Sequence, residues 1–281
     1  MVGRTAFLGS ENRYRLFTAV KYLVYLLLSI NVLLFLQEEL LALEHTFAER
    51  IQLAQIIQSF SATIDTAAWV VLLLLFEMET SVLDDSRIVG GLKWMLHGVR
   101  GICYVAIVYA FWGYCAELIT LFQVGPMSGI DPCSLPGGEY SLLVDLDEYE
   151  TLDGGNCIAM AADIFRFNDF QIVVDGDTLE SARYLGWTDV INAATWILVC
   201  LVLEVEVRLQ LRGELSDAVM ATTKYFKFAL YGTLFAAAAY WGYAGDFLDF
   251  WDAALWLFAF IFIELNVFEW QHETSQTETI A

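Results

Sequence analysis

A block of 16 residues occurs three times in this sequence and constrains the fold more than any other feature. It reads IDTAAWVVLLLLFEME at 64–79, INAATWILVCLVLEVE at 191–206 and WDAALWLFAFIFIELN at 251–266. Each copy has an Asp or Asn four residues before a Trp and a Glu eight residues after that Trp, with apolar residues between them. Offsets that are shared by three copies indicate an internal repeat.

The block is one of several apolar runs, and these runs predict an integral membrane protein. Of the 281 residues, 58% are hydrophobic and only 17% are charged. The runs approach the ~20 residues that a helix needs to cross a bilayer core. They lack the alternation of membrane β-strands, and a helix pairs all its backbone polar groups within one segment. The predicted fold class is therefore an all-α integral membrane protein.

Six transmembrane helices are predicted, and they group into three repeated hairpins. The even-numbered helices carry the repeated block, whereas the third and fifth helices end in the related motifs FWGYCAE at 111–117 and YWGYAGD at 240–246. We expect the three hairpins to surround a pseudo-threefold axis. The predicted spans lie near 17–36, 57–79, 96–122, 186–206, 225–244 and 249–269.

The charged residues predict the topology. Most of the 14 Lys and Arg residues fall on one side of the predicted spans, together with both termini. The positive-inside rule places this side in the cytoplasm, which predicts a multi-pass protein of the plasma (inner) membrane with both termini cytoplasmic. Most of the 35 Asp and Glu residues fall on the other side. A surface this acidic argues against nucleic-acid binding, because phosphate recognition needs clustered Lys or Arg.

The predicted domain boundaries follow from the same pattern. Residues 1–124 hold helices one to three, with an outer amphipathic helix near 38–56, and residues 186–270 hold helices four to six. Residues 125–185 form an acidic extracytoplasmic cap, and residues 271–281 form a cytoplasmic tail that is expected to be disordered. In the cap, a disulfide is expected between Cys133 and Cys157 because the compartment is oxidising. A β-hairpin is expected at Asp175-Gly176.

The repeated glutamates are the first candidate site. Glu77, Glu204 and Glu264 lie at equivalent positions near the cytoplasmic ends of the even helices. A ring of such carboxylates can bind a hard cation or relay protons. The alternative is a set of structural ion pairs, because Lys21, Arg100 and Lys227 begin the odd helices at the same level. The second glutamates, Glu79 and Glu206, lie about 200° around the helix and are not expected to share the site.

An outer vestibule is the second candidate site. Its members are expected near the opposite ends of the helices, and they also fit a simpler interpretation as helix caps or interfacial polar groups. The Trp residues of the repeat have the same two interpretations, as the lining of a passage or as interfacial anchors. The candidates for the vestibule are Asp65, Asn192, Asp252, Glu117 and Asp246.

No catalytic activity or cofactor is expected. The sequence contains no GxSxG, HExxH, CxxC or P-loop pattern. His45 is predicted to lie on the opposite side of the membrane from His97 and His272, so the three cannot form one metal site. The expected function is binding or translocation of a cation or proton, and the identity of any metal is left open. The alternative is a non-catalytic accessory or scaffold subunit. The expected partners are the lipid bilayer, an inorganic cation, and a membrane protein or a second copy of the chain.

Overall fold

The computed structural model describes residues 11–46, 59–79, 83, 90–135, 139–160, 163–211 and 217–260. These ranges hold six α-helices of 14 residues or more, and each predicted span is helical over most of its described part. The helices are α1 (Glu11–Thr46), α2 (Ser61–Glu77), α3 (Gly90–Thr120), α4 (Gly176–Leu211), α5 (Asp217–Ala244) and α6 (247–260).

Three of these helices are long and apolar enough to cross a membrane. The stretches are Arg15–His45, Gly90–Thr120 and Gly176–Glu206, within α1, α3 and α4. Large apolar side chains such as Leu33 and Ile102 are exposed along them. Exposed apolar faces on helices of this length are suited to lipid rather than to water. The fold is thus mostly helical and has membrane-type helices.

The expectation of an all-α chain is wrong for the segment between α3 and α4, which contains a five-stranded sheet. The strand order is β1-β4-β5-β2-β3; β2 and β5 are parallel, and the other neighbours are antiparallel. Each strand has only three or four residues, which is too short to show the alternation of apolar and polar residues that predicts a strand. The strands are β1 (Val124–Pro126), β2 (Ser141–Leu143), β3 (Tyr149–Thr151), β4 (Ile164–Phe167) and β5 (Ile172–Asp175).

The expected disulfide is present and joins two short turns beside the sheet. Cys133 lies in the 3-10 turn Pro132–Ser134, and Cys157 begins the 3-10 turn Cys157–Ala159. Cys157 also packs in a small core with Leu152, Ile164 and Val173. A segment with so little apolar core of its own gains stability from a covalent link.

The predicted hairpin at Asp175-Gly176 is wrong because α4 begins there. The Asp175 carboxylate accepts hydrogen bonds from the Thr178 amide, at 3.0 Å, and from the Thr178 hydroxyl, at 2.9 Å. An Asp that binds the amide three residues later is a strong helix N-cap, and it prevails here over the turn tendency of Asp-Gly. As a result α4 runs from β5 without a loop.

The helices pack in chain order, and the even ones meet at their tryptophans. The neighbouring pairs are α1 with α2, α2 with α3, α3 with α4, and α4 with α5. The ring centroids of Trp69 and Trp196 are 6.4 Å apart, and those of Trp196 and Trp256 are 6.3 Å apart. These three residues are the Trp of each repeated block, so the three copies converge on one cluster.

The predicted outer helix near 38–56 is only partly within the described residues. Residues 38–46 continue α1 without a break. Residues 47–56, the tail at 271–281 and Glu264 lie outside the described residues. The long α1 therefore extends to the sheet, where the His45 ring stacks on Tyr149 of β3.

Candidate functional site

Two adjoining cavities lie where the helices meet the sheet, and acidic side chains line both. The larger has a volume of about 90 Å³ and the smaller of about 50 Å³, and Tyr114, Asp189 and Asp249 line both of them. We call the two together the acidic cavity. Among the described residues that line it, none is Lys, Arg or His. Its carboxylates are those of Glu38, Glu39, Asp65, Glu117, Asp147, Asp189, Asp249 and Asp252.

A pair of carboxyl groups joins the sheet to α3 in the larger cavity. Glu117 lies near the end of α3, and Asp147 lies in the turn between β2 and β3. The two side chains are hydrogen-bonded to each other. Two carboxylates have no donor between them, so such a contact requires at least one proton. Removal from water, with the nearby charge of Asp246 as a smaller cause, raises the pKa of Asp147 to about 7.

A second carboxyl pair lies where the α5–α6 turn meets the first turn of α6. Asp246 and Asp249 are hydrogen-bonded through their side chains, and the Asp249 amide donates to the Asp246 carboxylate at 3.2 Å. Gly245 precedes them with φ 100°, a backbone conformation that favours glycine. Burial raises the pKa of Asp246 above its usual range. Asp246 itself does not line the cavity, but its partner Asp249 does.

Glu39 has a structural role in addition to its place on the cavity wall. Helix α2 begins after Phe60, which supplies no side-chain cap. The Glu39 carboxylate of α1 accepts hydrogen bonds from the amides of Ala62 and Thr63, at 2.8 and 3.3 Å, and from the Thr63 hydroxyl. It therefore caps α2 from a neighbouring helix, where a negative charge is favourable.

The smaller cavity is lined by side chains from the same position of the three similar sequence blocks. Asp65, Asn192 and Asp252 line it together with the three clustered tryptophans. The Trp69 indole N–H donates to Asp65 at 3.1 Å, and Trp256 is hydrogen-bonded to Asp252 in the same way. In the remaining copy, the side-chain oxygen of Asn192 is buried and has no hydrogen-bond partner among the described atoms. An acceptor of this kind is suited to a positively charged or donating guest.

The arginines of the sheet region do not neutralise this cavity. Arg166 donates to the Phe170 carbonyl at 3.5 Å, and Arg183 donates to the Leu121 carbonyl at 3.1 Å and lies over the Phe122 ring. Neither guanidinium forms an ion pair with a carboxylate of the described chain. The negative charge of the cavity is therefore not matched by a basic partner within that part of the chain.

The glutamates at the other end of the helices are held in ion pairs. Lys21 of α1 lies 2.6 Å from Glu77, whose carboxylate also accepts from the hydroxyls of Tyr22 and Tyr25 at 3.1 and 3.4 Å. Glu204 pairs with Arg208 on its own helix at 2.8 Å. The other predicted cations bind the second glutamates, Arg100 with Glu79 at 2.6 Å and Lys227 with Glu206 at 2.8 Å.

The structure thus brings some of the predicted residues together and separates others. Asp65, Asn192 and Asp252 share one cavity, and Glu117 lines the adjoining one. Glu77 is buried, whereas Glu204 is exposed. Five cavity residues were not predicted from the sequence: Glu38, Glu39, Asp147, Asp189 and Asp249.

A signal for two of the missed residues is present in the repeat. Asp189 and Asp249 each lie three residues before the polar position of their block, at Asn192 and Asp252. The first copy has Ala62 at this offset, and its amide is one of the two that donate to Glu39. The Trp-Gly-Tyr motifs are less alike, because Trp112 is exposed while Trp241 is buried and donates to Asp189 at 3.2 Å.

Comparisons with other proteins give no assignment. No protein-family model matches the sequence, and no curated protein or solved structure matches it. Within the described ranges, no group of three or more His, Cys, Asp and Glu side chains is arranged to hold a metal ion. The features of this chain that bear on function are therefore its buried carboxylates and its apolar helices.

Proposed function

We propose that this chain is a six-span membrane protein that binds a cation or protons in the acidic cavity and translocates them through the helical bundle. The observation that carries the proposal is the set of eight carboxylates around the cavity, with no basic residue among the described residues that line it. Carboxylates gathered away from water repel one another, so uptake of a proton or cation lowers the free energy. The cavity therefore favours positively charged guests.

The placement in the membrane is supported by exposed aromatic side chains. Trp94 and Trp112 on α3 are exposed and 18 residues apart, as are Tyr225 and Tyr243 on α5. At 1.5 Å per residue, each interval measures about 27 Å, close to the ~30 Å of a bilayer core. Trp and Tyr are enriched at the two membrane interfaces. This spacing supports α5 as a crossing helix in addition to α3.

The acidic cavity then lies near the outer interface, and both termini are cytoplasmic. Three hairpins around a pseudo-threefold axis are supported by the meeting of Trp69, Trp196 and Trp256. The sheet forms the extracytoplasmic cap, stapled by its disulfide. We place the protein in the plasma (inner) membrane as a multi-pass protein, because the basic residues favour this orientation.

The route from the cavity passes the tryptophan cluster and reaches the ion pairs. Below the cluster, the Lys21–Glu77 pair is buried, with side-chain exposures of 8% and 5%. A guest that binds Glu77 must displace Lys21, so this pair acts as the inner gate of the proposed route. Glu77, Glu204 and Glu264 remain the proposed inner acidic site, with Glu77 as the gate.

Flux into liposomes tests the proposal. The purified protein is reconstituted, and uptake of H⁺, Na⁺ and Ca²⁺ is followed with fluorescent indicators. We expect the variant with Asp65→Asn and Asp252→Asn to lose at least about tenfold in flux, since it removes two charges from the smaller cavity. The matched control is Asp169→Asn, an exposed acid of the β4–β5 turn, which should behave like the wild type.

The inner site is tested separately by the variant with Glu77→Gln, Glu204→Gln and Glu264→Gln. A flux equal to that of the wild type would remove the inner glutamates from the route but leave the cavity in place. A wild-type flux that is unaffected by the two cavity substitutions would instead contradict the main proposal. The two variants thus report on different ends of the bundle.

An accessory or scaffold subunit is the second candidate function. It is favoured by the ion pairs, since every described glutamate at the inner ends of α2 and α4 has a basic partner. In this case the acidic cap and the exposed helix faces serve a membrane protein partner or a second copy of the chain. A folded, disulfide-bonded protein that gives no flux and no heat of cation binding would favour this function.

A further inference from the structure

The turn between β2 and β3 closes one side of the acidic cavity. Its backbone is fixed by the Val144 amide, which donates to the Glu148 carbonyl at 2.9 Å. Leu146 at its tip is buried and packs in a core that includes Leu118 and Leu185, and Asp147 follows on the cavity wall. The turn therefore contacts the helices through one apolar residue and one acid.

Acids from several elements interact with Asp147. Glu117 of α3 is hydrogen-bonded to it, and Glu148 and Asp145 lie on its own turn. Acids on other elements also interact electrostatically with Asp147. They are Glu38 and Glu39 of α1, Asp189 of α4, Asp246 of the α5–α6 turn and Asp249 of α6. The basic side chain that packs against these strands is His45 of α1, which stacks on Tyr149 and contacts the Ser141 hydroxyl at 3.1 Å.

We propose that the β2–β3 turn is a proton-operated latch of the acidic cavity: it is docked while the carboxyl groups around Asp147 hold protons, and it is released when they lose them. The inference concerns regulation of the cavity and rests on the proposed function for its consequence in transport. The docking itself can be measured without that function. In a transporter or a channel, such a latch would give guests access from the outer side at higher pH.

The physical basis is a difference in proton binding between the two positions of the turn. The docked turn holds Asp147 against Glu117 and among the other acids, so each charge that forms there is repelled. The released turn places Asp147 in water, where it ionises at no such cost. Docking is therefore linked to proton uptake and weakens as the pH rises.

The rest of the cap is expected to stay folded when the turn is released. Strands β4 and β5 pair with each other, and the disulfide holds the segment on both sides of β2 and β3. The contact of Leu146 opposes release, so the latch shifts between two populated states instead of unfolding. A response confined to residues 141–151 is the signature of this device.

Hydrogen–deuterium exchange of the full-length protein in lipid nanodiscs tests the latch. Protection of peptides covering 141–151 is measured at about pH 6 and about pH 8, with correction for the intrinsic exchange rate. One linked proton changes an equilibrium by up to about tenfold per pH unit. We expect the wild-type turn to be protected about tenfold less at the higher pH, with no such change in peptides covering 164–175.

Two substitutions are expected to keep the latch docked. Asp147→Asn supplies an amide that donates to Glu117 without a titrating proton, and Glu117→Gln does the same from the other side. Each should keep the turn protected at the higher pH, and either one suffices if the other variant fails to fold. His45→Gln and Asp169→Asn are the controls, and both should retain the wild-type response.

Three results would overturn the latch. They are equal protection of the wild-type turn at both pH values, a wild-type response in both carboxyl variants, and loss of the response in His45→Gln. Failure of the transport proposal is recognised separately. The variant with Asp65→Asn and Asp252→Asn is expected to lose flux without any change in the β2–β3 turn, so its flux and the exchange of residues 141–151 are independent readings.

Discussion

Lys21 and Glu77 form a buried ion pair that joins α1 to α2, with 2.6 Å between the Lys21 Nζ and the Glu77 Oε1. Two tyrosine hydroxyls, from Tyr22 and Tyr25, complete the surroundings of the carboxylate. Both charges are thus compensated in a buried part of the bundle. The effect of the pair on the free energy of unfolding is therefore expected to reflect the cost of burying one charge without its partner.

Removal of one member of this pair should be costly, and removal of both should not. We expect Lys21→Met or Glu77→Gln to lower the free energy of unfolding by about 3 kcal/mol, because each leaves a buried charge without its partner. The double variant Lys21→Met with Glu77→Gln should recover most of this loss. Thermal unfolding in detergent measures the three values, and additive losses in the double variant would contradict the prediction.

The Arg208–Glu204 pair provides the matched comparison. Its side chains are 69% and 52% exposed, although its distance of 2.8 Å is similar. A solvated pair at i, i+4 contributes only about 0.3–0.5 kcal/mol. Glu204→Gln should therefore change thermal unfolding very little, in contrast with Glu77→Gln at the equivalent position of the repeat.

Much of the helical architecture could be predicted from the sequence, because long apolar runs leave a helix as the main option in a membrane. The repeat also identified Asp65, Asn192 and Asp252 as equivalent positions, and they line one cavity. Equivalent offsets in three copies imply similar local surroundings. In the even helices, residues at the same position of the three blocks lie close together, and their tryptophans do so as well.

The remainder could not be predicted, because it depends on contacts between distant segments. Asp147 meets Glu117 only when the β2–β3 turn folds back onto α3, and Glu39 reaches Ala62 only because α1 is longer than its apolar run. The ion pairs show the same limit. The two-residue separation predicted that Glu79 lies on a different face of the helix from Glu77. It did not predict that Glu79 pairs with Arg100 of α3.

The Cys133–Cys157 disulfide should stabilise the cap by restricting its unfolded state. The two cysteines are 24 residues apart in sequence, and a loop of this length corresponds to about 3 kcal/mol. We expect the variant with Cys133→Ser and Cys157→Ser to unfold at lower temperature and to be cleaved faster by protease in the cap. Cys103→Ser, which changes a free cysteine in α3, is the control. Equal proteolysis of the wild type with and without reductant would contradict the prediction.

The hydrogen bond between Asn31 and Asp252 should stabilise the contact of α1 with α6. The Asn31 amide donates to the Asp252 carboxylate at 2.7 Å, and Asn31 is almost fully buried. We expect Asn31→Leu to cost about 1–3 kcal/mol, since the carboxylate loses a donor that water does not replace. Thermal unfolding measures this cost. The double variant with Asp252→Leu should cost less than the sum of the single changes, whereas additive costs would show that the two side chains are not coupled.

The Asp246–Asp249 pair should make the stability of the α5–α6 turn depend on pH. The usual pKa of Asp246 is near 3.8, and burial raises it in the folded protein. The folded state then holds more protons than the unfolded state between the two pKa values, so stability is highest below the unfolded pKa and falls as the pH rises through the folded pKa.

We expect Asp246→Asn to unfold at higher temperature than the wild type at about pH 8 and at a similar temperature near about pH 4, because Asn keeps the cap on the Asp249 amide without the charge. Asp246→Ala should be less stable than Asp246→Asn by about 1 kcal/mol at both pH values, since it also removes the cap. If the difference in unfolding temperature between the wild type and Asp246→Asn were the same at both pH values, the prediction would be contradicted.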